Sequence, residues 1–266
     1  MNMNSAVIQY APGTDKEANL ETIRRYVAQA SEQGAAVAVL PEYAVYAKQG
    51  FDPSYAETAE PLEGPTVQKL RQFSHEYNIG LIVGVHEPAE NDRIYNTLVA
   101  IQDGQVAATY RKLHLFDAFG MQESQWVEPG RIEVPQLVNF GGFQFGLQTC
   151  YDLRFPEVSR MLVDAGAEVL VIPAAWVPGP LKESHWMTLL RARAIENTVY
   201  VLGADQTGPI GSGHSTIVDP MGVPLAMRGD DEGIAQARLS KERLESTRNI
   251  NPALTLRRFT TSPKQS

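Results

Sequence analysis

The sequence predicts a layered α/β domain in which two sheets pack face to face with helices outside. Three observations carry that prediction. Strand-like runs outnumber helical ones, strand–helix–strand units mix with hairpins, and helices recur along the whole chain; layered α/β architectures accommodate this mixture. The 266 residues are 43% hydrophobic and 20% charged, ample for a sizeable core. No linker, internal repeat or low-complexity block interrupts them, so residues 1–266 read as one domain.

The elements follow in order. SAVIQYA (5–11) has the residues of a buried strand. From Glu17 to Gln33, Leu20, Ile23, Val27 and Ala30 recur at helical spacing, and Gly34 stands at the stop. AAVAVLPEY (35–43) is a continuous apolar run broken by Pro41, which suits a strand covered on both faces. Thr66–Tyr77 repeats the helical pattern through Val67, Leu70 and Phe73, and residues 79–87 return to strand. RIYNTLVAIQDGQVAATYRK (93–112) is a hairpin about Asp103-Gly104, because glycine tolerates the positive φ of a tight turn. A strand–turn–strand follows at 137–150, then helix at Glu157–Ala165, strand at 168–175, helix at Glu183–Asn197 and strand at 199–204. A hairpin about DPMG (214–227) and a strand at 233–239 complete the pattern. The tail, about 248–266, lacks periodicity and is expected to wrap the surface or a partner subunit.

Several function classes drop out. A net charge of −8 with no Lys/Arg cluster argues against a nucleic-acid binder. No run approaches the roughly 18 apolar residues of a membrane span, and MNMNSAVIQYAPGTDK lacks the features of a secretory signal. A single cysteine cannot form an intramolecular disulfide, which agrees with a reducing compartment, so a cytoplasmic location is expected. The five histidines, at 75, 86, 114, 185 and 214, are scattered without HExxH, so neither a metal nor any other cofactor is expected. GxGxxG, Walker A and GxSxG patterns are absent too.

Three ionisable residues share one kind of place. Glu42 follows AVAVLP, Lys112 follows VAATYR, and Cys150 follows FGLQT. Ligands of α/β sheets bind at the carboxyl ends of strands, so these three could meet in one pocket. Each taken alone is more often structural, since charge at a strand end usually faces solvent and a lone cysteine is usually filler. Together they form a chemical set. Thiolate is the attacking species. A neighbouring Lys⁺ and the helix opening at Pro156 should pull the thiol pKa down, and the same cation can steady an oxyanion. Glu42 could move the protons.

The motifs around these residues resemble the nitrilase superfamily of carbon–nitrogen hydrolases. VLPEY, YRKLHLFD and CYDLRFPE match the family's glutamate, lysine and cysteine segments, and QESQWVEPG (122–130) matches that of its second glutamate. AAWVPGPLKESHWMTLLRARAIENTVYV and GHSTIVDPMG continue the family order, so the likeness spans about residues 5–260. The resemblance implies a four-layer α-β-β-α sandwich whose subunits pair into a homodimer or larger. It implies Glu42 as general base, Lys112 as oxyanion-stabilising cation and Cys150 as nucleophile. Glu123 is then the second glutamate, and the Tyr151 N–H a second oxyanion donor.

CYDLRFPE resembles the amidase branch, which implies a small carboxylate-bearing amide cleaved through a thioester with ammonia release. Deaminated glutathione and the ω-amides of 2-oxo acids are the candidates, and GHS (213–215) with HWMTLLRARAIE leans toward the first. Such substrates are anionic, and Arg154 can grip a carboxylate bidentately, unless it pairs with Asp152 or Glu157. Tyr46 and Trp176 are candidates to line the pocket, unless they serve core packing. A nitrile hydrolase with the same triad, or an inactive scaffold subunit, is the alternative.

Overall fold

The structure, a computed structural model, describes residues 1–264; residues 265–266, the end of the predicted tail, lie outside the described residues. The first half of the chain runs β1 (Asn2–Gln9), α1 (Lys16–Glu32), β2 (Val37–Val39), α2 (Ser54–Glu57), α3 (Pro65–Glu76), β3 (Gly80–Pro88), β4 (Ile94–Gln102) and β5 (Gln105–Arg111). The second half runs β6 (Val138–Phe140), β7 (Phe143–Leu147), α4 (Pro156–Asp164), β8 (Val169–Ala174), α5 (Lys182–Asn197), β9 (Tyr200–Asp205), β10 (Thr216–Val218) and β11 (Pro224–Met227). The chain then returns through β12 (Gly233–Ser240) to α6 (Lys241–Ile250) and α7 (Ala253–Leu256).

Two six-stranded sheets form, ordered β12-β1-β2-β3-β4-β5 and β6-β7-β8-β9-β10-β11. Both have the same directions: an edge strand paired antiparallel, three parallel strands, then two more strands added by successive antiparallel pairings. No repeat is visible in the sequence, yet the two sheets share one topology, the first borrowing β12 from the end of the chain. What repeats is the order of strand and helix, not the side chains.

Period-two alternation explains the layers. Val37 and Val39 of β2 face the core between the sheets, while Ala38 faces the helices. On β8, Val169 and Val171 face inward and Leu170 and Ile172 outward. Helices α1 and α3 cover the first sheet through Leu20, Ile23, Val27 and Leu70, and α4 and α5 cover the second through Val158, Leu162 and Leu190. This is the expected four-layer α-β-β-α sandwich.

Three helices depart from the expectation, the four-residue α2 among them. Helix α6 was not predicted; its apolar side is thin, with Leu244 and Thr247 its buried residues. The tail is not wholly aperiodic, for α7 forms within it, and Arg257 pairs with Asp164 of α4. No helix among the described residues is long and apolar enough to cross a membrane.

Candidate active site

Glu42 is set by a strand that stops. Leu40 still bonds the β3 carbonyl of Ile82 at 2.8 Å. Pro41 then has no N–H to offer the ladder, and Tyr43 turns into the left-handed region at φ 52°. The turn passes so close to Gly84 of β3 that a Cβ there would lie 2.7 Å from the Tyr43 nitrogen and 2.8 Å from the Glu42 Cα. Lys112 follows β5, its N–H donating to the Asn96 carbonyl at 2.9 Å. Strand β5 runs the same way as β3, so Glu42 and Lys112 leave one edge of their sheet. Cys150 follows β7 at φ 44° and heads a 3-10 helix, Cys150–Arg154, which Phe155 separates from α4.

These ends converge. The Lys112 ammonium donates to Glu42 Oε1 at 3.0 Å and to both oxygens of Glu123 at 3.0 and 2.9 Å. Asn96 Nδ2 also donates to Glu42 Oε1, at 2.6 Å, and the Ala175 N–H beyond β8 donates to Oε2 at 2.8 Å. The Tyr43 hydroxyl donates to Glu123 Oε1 at 3.0 Å. Glu42, Lys112 and Glu123 are each 2% exposed, so this network is held apart from solvent. The Tyr151 N–H lies in the first turn of the 3-10 helix, where leading N–H groups have no intrahelical acceptor.

Burial pushes the Cys150 thiol well above its ordinary pKa, and Glu42 adds to the effect by its charge and by hydrogen bonding. Lys112 pulls the other way without prevailing. The expectation of a depressed thiol pKa is therefore corrected: burial and the Glu42 charge together favour the protonated thiol over the thiolate. For Lys112, burial favours the neutral amine, but the charges of Glu123 and Glu42 outweigh it and hold the side chain cationic.

Asp152, fully buried, joins the cysteine and lysine segments. It accepts from the Thr149 N–H at 3.0 Å, the Tyr110 hydroxyl at 2.7 Å and the His114 N–H at 3.0 Å. Lys112 lies midway between Tyr110 and His114, so one carboxylate fixes the lysine segment against the cysteine turn.

A second cluster adjoins the first. Arg154 pairs with neither Asp152 nor Glu157; its nearest polar partner is His185 Nδ1 at 3.4 Å, and it lies 4.7 Å from the Trp176 ring centre. Trp176 is buried, its backbone N–H on Asp205 at 2.7 Å and its indole N–H on the Lys182 carbonyl at 2.8 Å. Tyr46 is placed differently from a pocket-lining residue. Its ring packs edge-on against Tyr55 and His86, and its hydroxyl donates to Ser54 at 2.6 Å.

Sequence reasoning missed Asn96, Tyr43, Asp152 as a tether, and Lys182. A signal existed for Asn96, an amide inside the apolar run IYNTLVAI. Among the described residues no group of three metal-ligating side chains gathers.

The carbon–nitrogen hydrolase family model matches residues 5–249. A deaminated glutathione amidase of Escherichia coli O157:H7 is 42% identical over 252 residues, 94% of this chain and 95% of its own. The Caenorhabditis elegans NitFhit protein superposes with a TM-score of 0.89 at 32% identity, over 97% of this chain and 65% of that one. A mutant of the amidase from Nesterenkonia sp. AN1, with the acetamide moiety of fluoroacetamide added covalently at the active-site cysteine, superposes with a TM-score of 0.80 at 27% identity. That likeness covers 96% of each chain.

Proposed function

The chain belongs to the carbon–nitrogen hydrolase family and is an amidase acting on C–N bonds, and on that premise we propose that Cys150 cleaves a small carboxylate-bearing amide through a thioester. The observation that carries this reading is the buried contact of Lys112 with both Glu42 and Glu123, beside the buried Cys150.

Glu42 takes the thiol proton as sulfur attacks the amide carbon. The carbonyl oxygen becomes an oxyanion facing the Lys112 ammonium and the Tyr151 N–H, donors already in place before charge develops. Glu42 then gives its proton to the nitrogen, the C–N bond breaks, and the amine leaves. The same carboxylate draws a proton from water, whose oxygen attacks the thioester carbon. Collapse releases the acid and returns the proton from Glu42 to the sulfur. Glu123, holding Lys112 through both oxygens, keeps the cation charged and aimed.

The substrate reading is deaminated glutathione first, then ω-amides of 2-oxo acids. The E. coli relative's name supports it, as does Arg154, a half-buried guanidinium without an acidic partner among the described residues. Deaminated glutathione is the 2-oxoglutaryl amide of cysteinylglycine, so its leaving group is the dipeptide amine; ammonia leaves only from primary amides. Pairing of subunits and a cytoplasmic location complete the proposal. Exposed Ile195 and Leu256, at 45% and 71%, support the first, and a lone free cysteine agrees with the second.

The test is product formation from deaminated glutathione, 2-oxoglutaramate, simple amides and nitriles by wild type, Cys150→Ala and Cys150→Ser. Turnover of the oxo-acid amides with loss of at least about 10⁴-fold in the alanine variant is expected. Alanine-variant activity near wild type removes the nucleophile. Acid formed from nitriles but not amides replaces the substrate class.

A further inference from the structure

Lys182 opens α5 and is only 5% exposed, yet its ammonium has no hydrogen-bonding or acidic partner among the described residues. It rests instead on aromatic faces, 4.4 Å from the Phe119 ring centre, 4.9 Å from Phe116 and 5.1 Å from Trp176. Arg154 shares two of those rings, lying 4.7 Å from Trp176 and 5.5 Å from Phe119. Its Nε is buried without a partner among the described residues.

This arrangement opposes folding preferences. Two like charges meet on one aromatic patch, and Lys182 adds its charge to the positive end of a 16-residue helix. Leu181, the cap residue, is left-handed at φ 60° and supplies no side-chain acceptor. Glu183 stands in the first turn but pairs with neither cation. The nearby buried acid, Asp205, is occupied by the Trp176 N–H and by Ser212. Ring faces hold a cation in place without neutralising it. Stripping most of the water from a charged side chain without giving it a partner is costly, and an anion seated between Arg154 and Lys182 offsets that cost.

We propose that Lys182 is a specificity-determining residue which, beside Arg154, holds the oxygen adjoining the substrate's acid group and so selects 2-oxo acyl groups. The assignment rests on Cys150 and Arg154 acting as proposed above. Guanidinium presents a planar fork that both oxygens of one carboxylate fill. The ammonium then needs a third oxygen close by. A plain carboxylate has none to spare, whereas a 2-oxo acid carries one on the neighbouring carbon. Phe119, 68% exposed, and Trp176 wall the ammonium from opposite degrees of burial, so the third oxygen is met in a partly dry place where a charged hydrogen bond discriminates well.

The deciding experiment uses three amides of cysteinylglycine differing only in the acyl group: 2-oxoglutaryl, glutaryl and pentanoyl. Wild type should prefer 2-oxoglutaryl to glutaryl in kcat/KM. Lys182→Met, which keeps the length and the ring contacts, should shrink that ratio about 10- to 100-fold, mainly through KM. Lys182→Arg should recover part of it. Arg154→Met should instead shrink the glutaryl-to-pentanoyl ratio. An unchanged 2-oxoglutaryl-to-glutaryl ratio in Lys182→Met overturns the assignment. Calorimetric titration with 2-oxoglutarate and with glutarate separates this failure from that of the amidase reading. Tighter binding of 2-oxoglutarate, lost in Lys182→Met, sustains the subsite even if no amide turns over. Equal binding of the two acids by wild type removes it, whatever the catalysis.

Discussion

Two buried titratable side chains, His86 and Cys150, are both held uncharged and make the fold sensitive at opposite ends of the pH scale. His86 is ringed by Tyr43, Tyr46 and Tyr55. Burial, with some help from Lys16, lowers its pKa from 6.5 to about 3. The unfolded imidazole takes a proton below about 6.5 and the folded one does not, so its contribution is complete above that value and drains as pH falls toward 3. The loss is on the order of 5 kcal/mol. Replacing His86 with Phe keeps a ring and removes the titration. Urea midpoints measured between about pH 7 and pH 4 should fall less steeply in that variant than in wild type; equal slopes would assign the acid lability elsewhere. For Cys150 the sign reverses: its raised pKa stabilises the fold below the ordinary thiol value, and the contribution is lost as pH climbs through the folded one. At this scale the sequence singled out Glu42, Lys112, Cys150 and Glu123, which the fold does bring together, because each stands in a local motif of contiguous residues. Lys182 stayed hidden. Its meaning depends on Phe116 and Phe119, more than sixty positions away.

Among the elements, the parallel strands and the helices over them were legible, since their alternation and 3.6-residue spacing are written in contiguous residues. Helix α6 was not, because a mostly exposed helix leaves little apolar period to read. The short β2 looked longer in sequence because Leu40, Ala44 and Val45 beyond its end are buried without being strand. Close approach between elements was also invisible. Gly84 reads as an ordinary strand glycine until the Glu42 turn is seen passing over it. The expected result for Gly84→Ala is a backbone shift at Glu42, with kcat down at least about 10²-fold and KM changed far less. Steady-state kinetics checks this alongside circular dichroism, and a fully active, folded alanine variant would show that the turn can move without harm.

For the whole molecule, the four layers leave apolar side chains outside. Ile250, Leu256 and Phe259 are 79%, 71% and 90% exposed along the tail. Paired subunits would cover them. The double variant Leu256→Asp, Phe259→Asp should sediment at about half the mass of wild type, since charge at the core of an interface is strongly disfavoured. A wild-type protein already sedimenting as a monomer ends the pairing proposal. Composition foretold none of this, because exposed apolar residues are normal singly and informative only as a patch in space.

The shared topology of the two sheets has a further consequence. Glu42 and Lys112 come from one half of the chain and Cys150 from the other, joined at Ala175, whose N–H crosses to Glu42. Neither sheet therefore supplies the proposed centre alone, although both have the same strand pattern, the first completed by β12 from the end of the chain. The proposed centre is then a vernier between two similar scales: turnover should depend on how well the sheets are aligned, and a small slip between intact layers is expected to silence it before either layer unravels.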